Sequence, residues 1–307
     1  MGLRLTGHVE LPAHLGAGGF DHAAIDPRTD RLYVAHTAND AVDVIDCAGG
    51  VHVGSIGDLP AVAGVLVAEA QGLAFTSNRG EDTIGIFRPG ADETVVKVAV
   101  GVHPNGLAFD PARGTLIAAN VGEPARPGSC TLSVVDVAGR TMRAAVPVPG
   151  RTRWAIHDRM ADAFFVNIAD PPRIVVLAGA DPGRVAKVYE VPAAGPHGLD
   201  IDPAAGRLFC ACDDGQLVAM DAGTGRVLGA VPLSGAPDVI FLDPARARLY
   251  VAVGEPGVID VIDTAAMKRV ETVPTAPGAH TTALDPRRQR LYVFLPRTHR
   301  AAVFVDE

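Results

Sequence analysis

Runs of apolar and β-branched residues alternate with Asp-Pro, Asn-Asp and Gly-containing turns along the whole chain, and almost no segment has a helical period. The plainest copy reads Ile25-Asp26-Pro27, four further residues, Leu32-Tyr33-Val34-Ala35, and then Val42-Asp43-Val44-Ile45-Asp46. The same grammar returns at Asp110-Pro111, Asp202-Pro203, Asp243-Pro244 and Asp285-Pro286, with Asp158-Arg159 in place of one Asp-Pro. Successive intervals from Asp110 onward are 48, 44, 41 and 42 residues, and the 84 residues from Asp26 to Asp110 hold a degenerate copy between them. Later strands centred on Val44, Ile86, Val134, Val176, Ala219, Val261 and Phe304 bring the count to seven. A unit of low-forties length with short strands predicts an all-β, seven-bladed β-propeller of four-stranded antiparallel blades.

The ends predict how the ring closes. Fourth strands are visible at 140–148, 226–233 and 268–273, whereas the seventh copy stops one strand short at Asp306-Glu307. Residues 1–12, with Leu3-Arg4-Leu5-Thr6-Gly7-His8-Val9-Glu10-Leu11-Pro12, resemble the fourth strand at 226–233 and are expected to complete blade seven, so that neither sheet edge is left open. On this reading residues 1–307 form a single propeller domain.

Several copies share more than a period. Leu32-Tyr33-Val34-Ala35-His36, Leu116-Ile117-Ala118-Ala119-Asn120, Phe164-Phe165-Val166-Asn167, Leu249-Tyr250-Val251-Ala252 and Leu291-Tyr292-Val293 resemble the Leu-Tyr-Val-Thr-Asn unit of YVTN-repeat propellers, particularly the bacterial YncE-like family. His103-Pro104-Asn105-Gly106-Leu107-Ala108 and Gly195-Pro196-His197-Gly198-Leu199 match that family's lead-in. The resemblance covers the whole chain and implies the fold. Relatives of this architecture include ligand binders, metal-handling proteins, lyases and lactonases, so function must come from this chain's own residues. The terminal Asn of the motif is His36, Cys212, Val253 or Leu295 in several copies.

Composition narrows the classes further. A net charge of −8 argues against a nucleic-acid partner. No apolar run is long enough to cross a bilayer, so no membrane partner is expected. The chain as written begins without a leader and reads as cytoplasmic, or periplasmic if a leader has been removed. Walker, His-Glu-x-x-His, Gly-x-Ser-x-Gly and Cys-x-x-Cys motifs are all missing from the sequence. Cys210 and Cys212 fall on one face of a strand, about 7 Å apart by two strand rises, and all four cysteines are expected as thiols.

Candidate chemistry lies where each inner strand begins, because seven such positions converge at one mouth of a propeller channel. Counting five residues back from each repeat Asp gives Asp21, Ala63, Asn105, Arg153, His197, Asp238 and His280, with His22 and Trp154 one step further in. His197, Asp238, His280 and Asp21 belong to consecutive blades and are the residue types that bind Zn²⁺ or a similar divalent ion, so one such ion is the expected cofactor. His22 and His36 are candidate general acid/base residues. Arg153, Trp154, Asn105, Asn78, Asn120 and Glu255 are candidate substrate contacts. The repeat aspartates and His157 lie toward the opposite end and read as structural.

Three functions follow as expectations. The first is a small-molecule-binding propeller acting as a metal-dependent hydrolase or lyase on a small anionic substrate at the channel mouth. The second is a non-catalytic scaffold for a protein partner or ligand, which predicts an apolar patch on one rim; a tetrapyrrole ligand held by histidines is a third.

Overall fold

The second strand of each repeat has two faces to bury. In Leu32-Tyr33-Val34-Ala35 all four residues are fully enclosed. Leu32 and Val34 pack with Phe294 of the last repeat, whereas Tyr33 and Ala35 pack with Phe87 of the next one. Strand geometry sends alternate side chains to opposite faces, so a strand sandwiched between two sheets reads as a continuous apolar run. Seven hydrophobic clusters result, each shared by two neighbouring sheets.

The computed structural model describes residues 2–90 and 94–307, and within them the chain forms seven four-stranded antiparallel sheets. The inner strands are Phe20–Asp26, Val62–Ala68, Pro104–Asp110, Thr152–Asp158, Pro196–Asp202, Pro237–Asp243 and Thr282–Asp285. Each packs beside the inner strand of the next blade, and the seventh returns to the first. Leu3–Glu10 pairs antiparallel with Arg300–Asp306, so the first strand of the chain is the outer strand of blade seven. Arg4 with Glu307 and Arg300 with Glu10 tie the two ends of that pairing.

The repeat aspartates hold the turns that follow the inner strands. Asp26, Asp110, Asp243 and Asp285 are buried, and each accepts the backbone N–H two residues on. Arg28, Arg113, Arg246 and Arg288 then pair with the same carboxylates. An Asx turn of this kind explains Asp before Pro in the repeat. The degenerate copy replaces it with a 3-10 turn at Glu69–Gln71, closed by left-handed Gly72 at φ 61°.

Glycine is required at three of the seven equivalent positions one step into the inner strands. A Cβ at Gly64, Gly106 or Gly198 would sit 2.3–2.4 Å from a carbonyl oxygen of the next inner strand. Blades one and four carry His22 and Trp154 at the equivalent place. The Cys210 and Cys212 thiols lie 3.8 Å apart, nearer than the strand rise predicts, because the side chains lean toward one another; both are buried and unbridged.

Candidate functional site

The inner strands start on one face of the ring, and the loops after the second strands end on that same face. Polar side chains from all these places meet there. Asp238, from blade six, takes His280 Nδ1 on one oxygen at 2.8 Å and His197 Nε2 on the other at 3.1 Å. His197 Nδ1 pairs with Asp213 Oδ1 at 2.7 Å, and Arg153 reaches both His197 Nε2 at 3.2 Å and Asp213 Oδ2 at 3.3 Å. Across the mouth, Asp21 lies 3.4 Å from His22 Nε2 and 3.5 Å from Arg79. The polar rim therefore runs as an interlocked chain over blades four to seven, with a second short chain over blades one and two.

Charge sets the protonation states here. Burial opposes the charge on His197, yet Asp238 and Asp213 outweigh it and raise its pKa to about 9. His280 is raised in the same way by Asp238, against its burial. Burial opposes ionisation of Asp238 as well, but His197 and His280 hold its carboxyl well below the usual range. At neutral pH the group is a carboxylate between two imidazolium-favouring rings. Arg153 is lowered, first by burial and then by its neighbour Arg151, against the pull of Asp213 and Asp238. Arg79 Nε, Arg153 Nε and Asn105 Oδ1 are buried without a hydrogen-bond partner.

His22 and Trp154 come from opposite sides of the ring and stack at a tilt across the channel, with ring centroids 4.0 Å apart and planes 43° from parallel. They form the floor of the polar mouth. Burial lowers the pKa of His22, so the stacked imidazole is neutral at pH 7.

The structure places the other sequence candidates outside this cluster. His36 is fully buried, with Nδ1 on Asp43 and Nε2 on His14, each at 2.7 Å. His14 also reaches the Pro296 carbonyl, so the pair straps the segment between the borrowed strand and blade one to blade seven. The Asn78 amide donates to Thr83, and that of Asn120 to Thr131 and Ser133, so both brace their own hairpins. Glu255 is exposed in the turn before Pro256. Asp213 and Arg79, which are not among the sequence candidates, also belong at this mouth; their place just after the second strands was the signal available.

For a metal, the geometry points elsewhere. Among the described residues, the one group of three His, Asp or Glu side chains whose ligand atoms lie within 4.8 Å of one another is Asp110, His157 and Asp162, at the opposite end of the inner strands. This group could hold a metal ion. Arg113 already bonds both carboxylates, Asp110 at 2.8 Å and Asp162 at 2.6 and 2.9 Å, and competes for the place.

Neither a protein-family model nor a curated protein matches the chain. Among solved structures it superimposes on Kuenenia stuttgartiensis hydrazine synthase with a TM-score of 0.81 and 14% sequence identity, over 95% of this chain and 97% of that one. The likeness is one of fold. It confirms the seven-bladed propeller and carries no chemistry from that enzyme to this chain. No helix among the described residues is long and apolar enough to cross a membrane.

Proposed function

We propose that this propeller, of the YncE-like, YVTN-repeat kind, binds a small organic carboxylate at the polar mouth. The observation that carries the reading is the pair of buried, unpartnered Nε–H donors on Arg79 and Arg153. Their guanidiniums lie beside carboxylates, Arg79 3.5 Å from Asp21 and Arg153 3.3 Å from Asp213, so the mouth interleaves donors for an anionic group with acceptors for a hydroxyl or amine. Trp154 and His22 supply an aromatic floor for the ligand's carbon skeleton. Where the bound molecule reacts, His280 and His197, both raised in pKa, are proton donors, which suits protonation of a leaving group in an elimination.

A divalent ion at His197, Asp238, His280 and Asp21 is the weaker form of this proposal, because Arg153 lies 3.2 Å from the nitrogen that would have to donate its lone pair. A scaffold for a protein partner is also less favoured. Leu5, Val51, Met142, Val188, Val227 and Val270 sit on outer strands of different blades, and the most exposed apolar residues, Leu15 and Met160, lie in separate loops, so the exposed apolar side chains are scattered.

Isothermal titration with malate, succinate and citrate tests the carboxylate reading. Saturable binding of at least one is expected, weakened roughly tenfold or more in Arg153→Gln and in Arg79→Gln, the cost of about 1.4 kcal/mol or more for a lost charge-assisted contact. Binding that both variants leave unchanged would show the mouth is not the site.

A further inference from the structure

Beneath the His22–Trp154 stack the channel widens into a second, separate space. It is a chamber of about 580 Å³ that opens past Glu69, Gln71 and Pro111, on the face opposite the polar mouth. The inner strands present one ring of equivalent positions to it, and six of the seven are apolar: Ala24, Leu66, Ala108, Ile156, Phe241 and Ala283. The seventh, in blade five, is Asp200.

Asp200 is held rigidly. One oxygen accepts the Ile201 N–H at 2.8 Å, and the other accepts the Leu242 N–H of the next blade at 2.7 Å. Six blades build this ring with apolar side chains, so closing the inner strands does not need a carboxylate. Burial pushes its carboxyl up to about 6, and only backbone donors act against that. It is ionised at neutral pH with no cationic side chain in ion-pair distance among the described residues, an expensive arrangement for a carboxylate in apolar surroundings.

The remaining lining has the same bias. Glu69 stands at the opening, and no Lys or Arg contributes to the wall. His22 and His157 also face the chamber, and burial lowers the pKa of both, so they are neutral at pH 7. The chamber wall thus carries acidic and neutral side chains only, whereas the polar mouth mixes Arg79, Arg153 and histidines with the carboxylates of Asp21, Asp213 and Asp238. We propose that the chamber is a binding site for an apolar organic amine in its ammonium form, with the hydrocarbon body against the strand walls and the charge on Asp200. A largely apolar cavity with one fixed polar group is the usual build of a small-molecule site.

Trp154 is the single tryptophan of the chain and roofs the chamber, so its emission reports on occupancy. The probes are 1-adamantylamine and its neutral counterpart 1-adamantanol, which share one hydrocarbon cage. In the full chain the amine should shift Trp154 emission saturably and bind at least about tenfold more tightly than the alcohol. Asp200→Asn should abolish that preference. Ala24→Phe, which adds bulk to the chamber wall from blade one, should weaken both probes. Equal binding of amine and alcohol, no saturable response to the amine, or a preference that survives Asp200→Asn overturns the proposal. A preference lost in Asp238→Asn but kept in Asp200→Asn places the amine at the polar mouth and also overturns it. Should Asp200→Asn not fold, the amine response of folded Ala24→Phe decides: its loss supports the chamber site and its persistence refutes it.

Discussion

His197 shows how strongly a single side chain here depends on its neighbours. Its pKa rises from an ordinary 6.5 to about 9 because Asp238 and Asp213 overcome its burial. A raised folded-state value contributes stability that is complete below the ordinary pKa and disappears as pH climbs through the folded one. Asp238, held low, contributes stability above an ordinary 3.8 that fades as pH drops through its depressed value. The two windows overlap, so the advantage of the parent over His197→Gln should be largest between about pH 4 and 6.5 and decline toward pH 9 and beyond. The side chains are 16% and 22% exposed, so removing one partner should cost less than the roughly 3 kcal/mol of a fully buried pair. Thermal melts of both proteins across that range check the shape, and a difference that stays flat from pH 6 to 10 would contradict it. Arg113 governs a second residue-scale outcome. Zn²⁺ titrated into Arg113→Gln should bind more tightly than to the parent, since Asp110 and Asp162 lose the guanidinium that occupies them; equal affinities would mean that the group is not a metal site.

At the level of the strand, Leu3–Glu10 matters beyond its own length. It pairs along its whole length with Arg300–Asp306, and Leu3 and Val9 are buried in the clusters on either side of blade seven. Without it the outer edge of Arg300–Asp306 would expose unpaired backbone groups and part of two interblade cores. Deleting residues 1–12 should therefore lower the melting temperature by about 10 °C or more, the shift that a loss of about 6 kcal/mol gives in a domain of this size. A melt within a few degrees of the full chain would contradict closure through this strand. The closing strand and the Asp turns were both legible as patterns: one unit lacked a strand, and the Asp recurred at a fixed place. The strap formed by His14 and His36 was not, because His14 lies outside the repeat and meets His36 only after blade one is docked against blade seven.

Across the whole molecule, ring closure creates two unlike surfaces from one repeat. The mouth at the start of the inner strands gathers Arg153, His197, Asp238, His280, Asp21 and Arg79, whereas the chamber at their other end is apolar except for carboxylates and neutral imidazoles. The His22–Trp154 stack separates them. A carboxylate ligand above and an ammonium ligand below are thus compatible in one chain.

The number of blades, the strand order and the borrowed first strand were set by the sequence alone, because each rests on local periodicity and on counting strands against edges. It also placed six polar residues at one mouth, since equivalent positions in a closed repeat must converge. Which of them touch is a property of the tertiary structure. Partners such as Asp213 and His197, or His22 and Trp154, come from different strands or from opposite blades, and their separations depend on channel radius and side-chain direction. Asp200 is the clearest case. In the sequence it is one aspartate among many near a turn, and only the closed ring shows that its six equivalents are apolar and that no cation faces it.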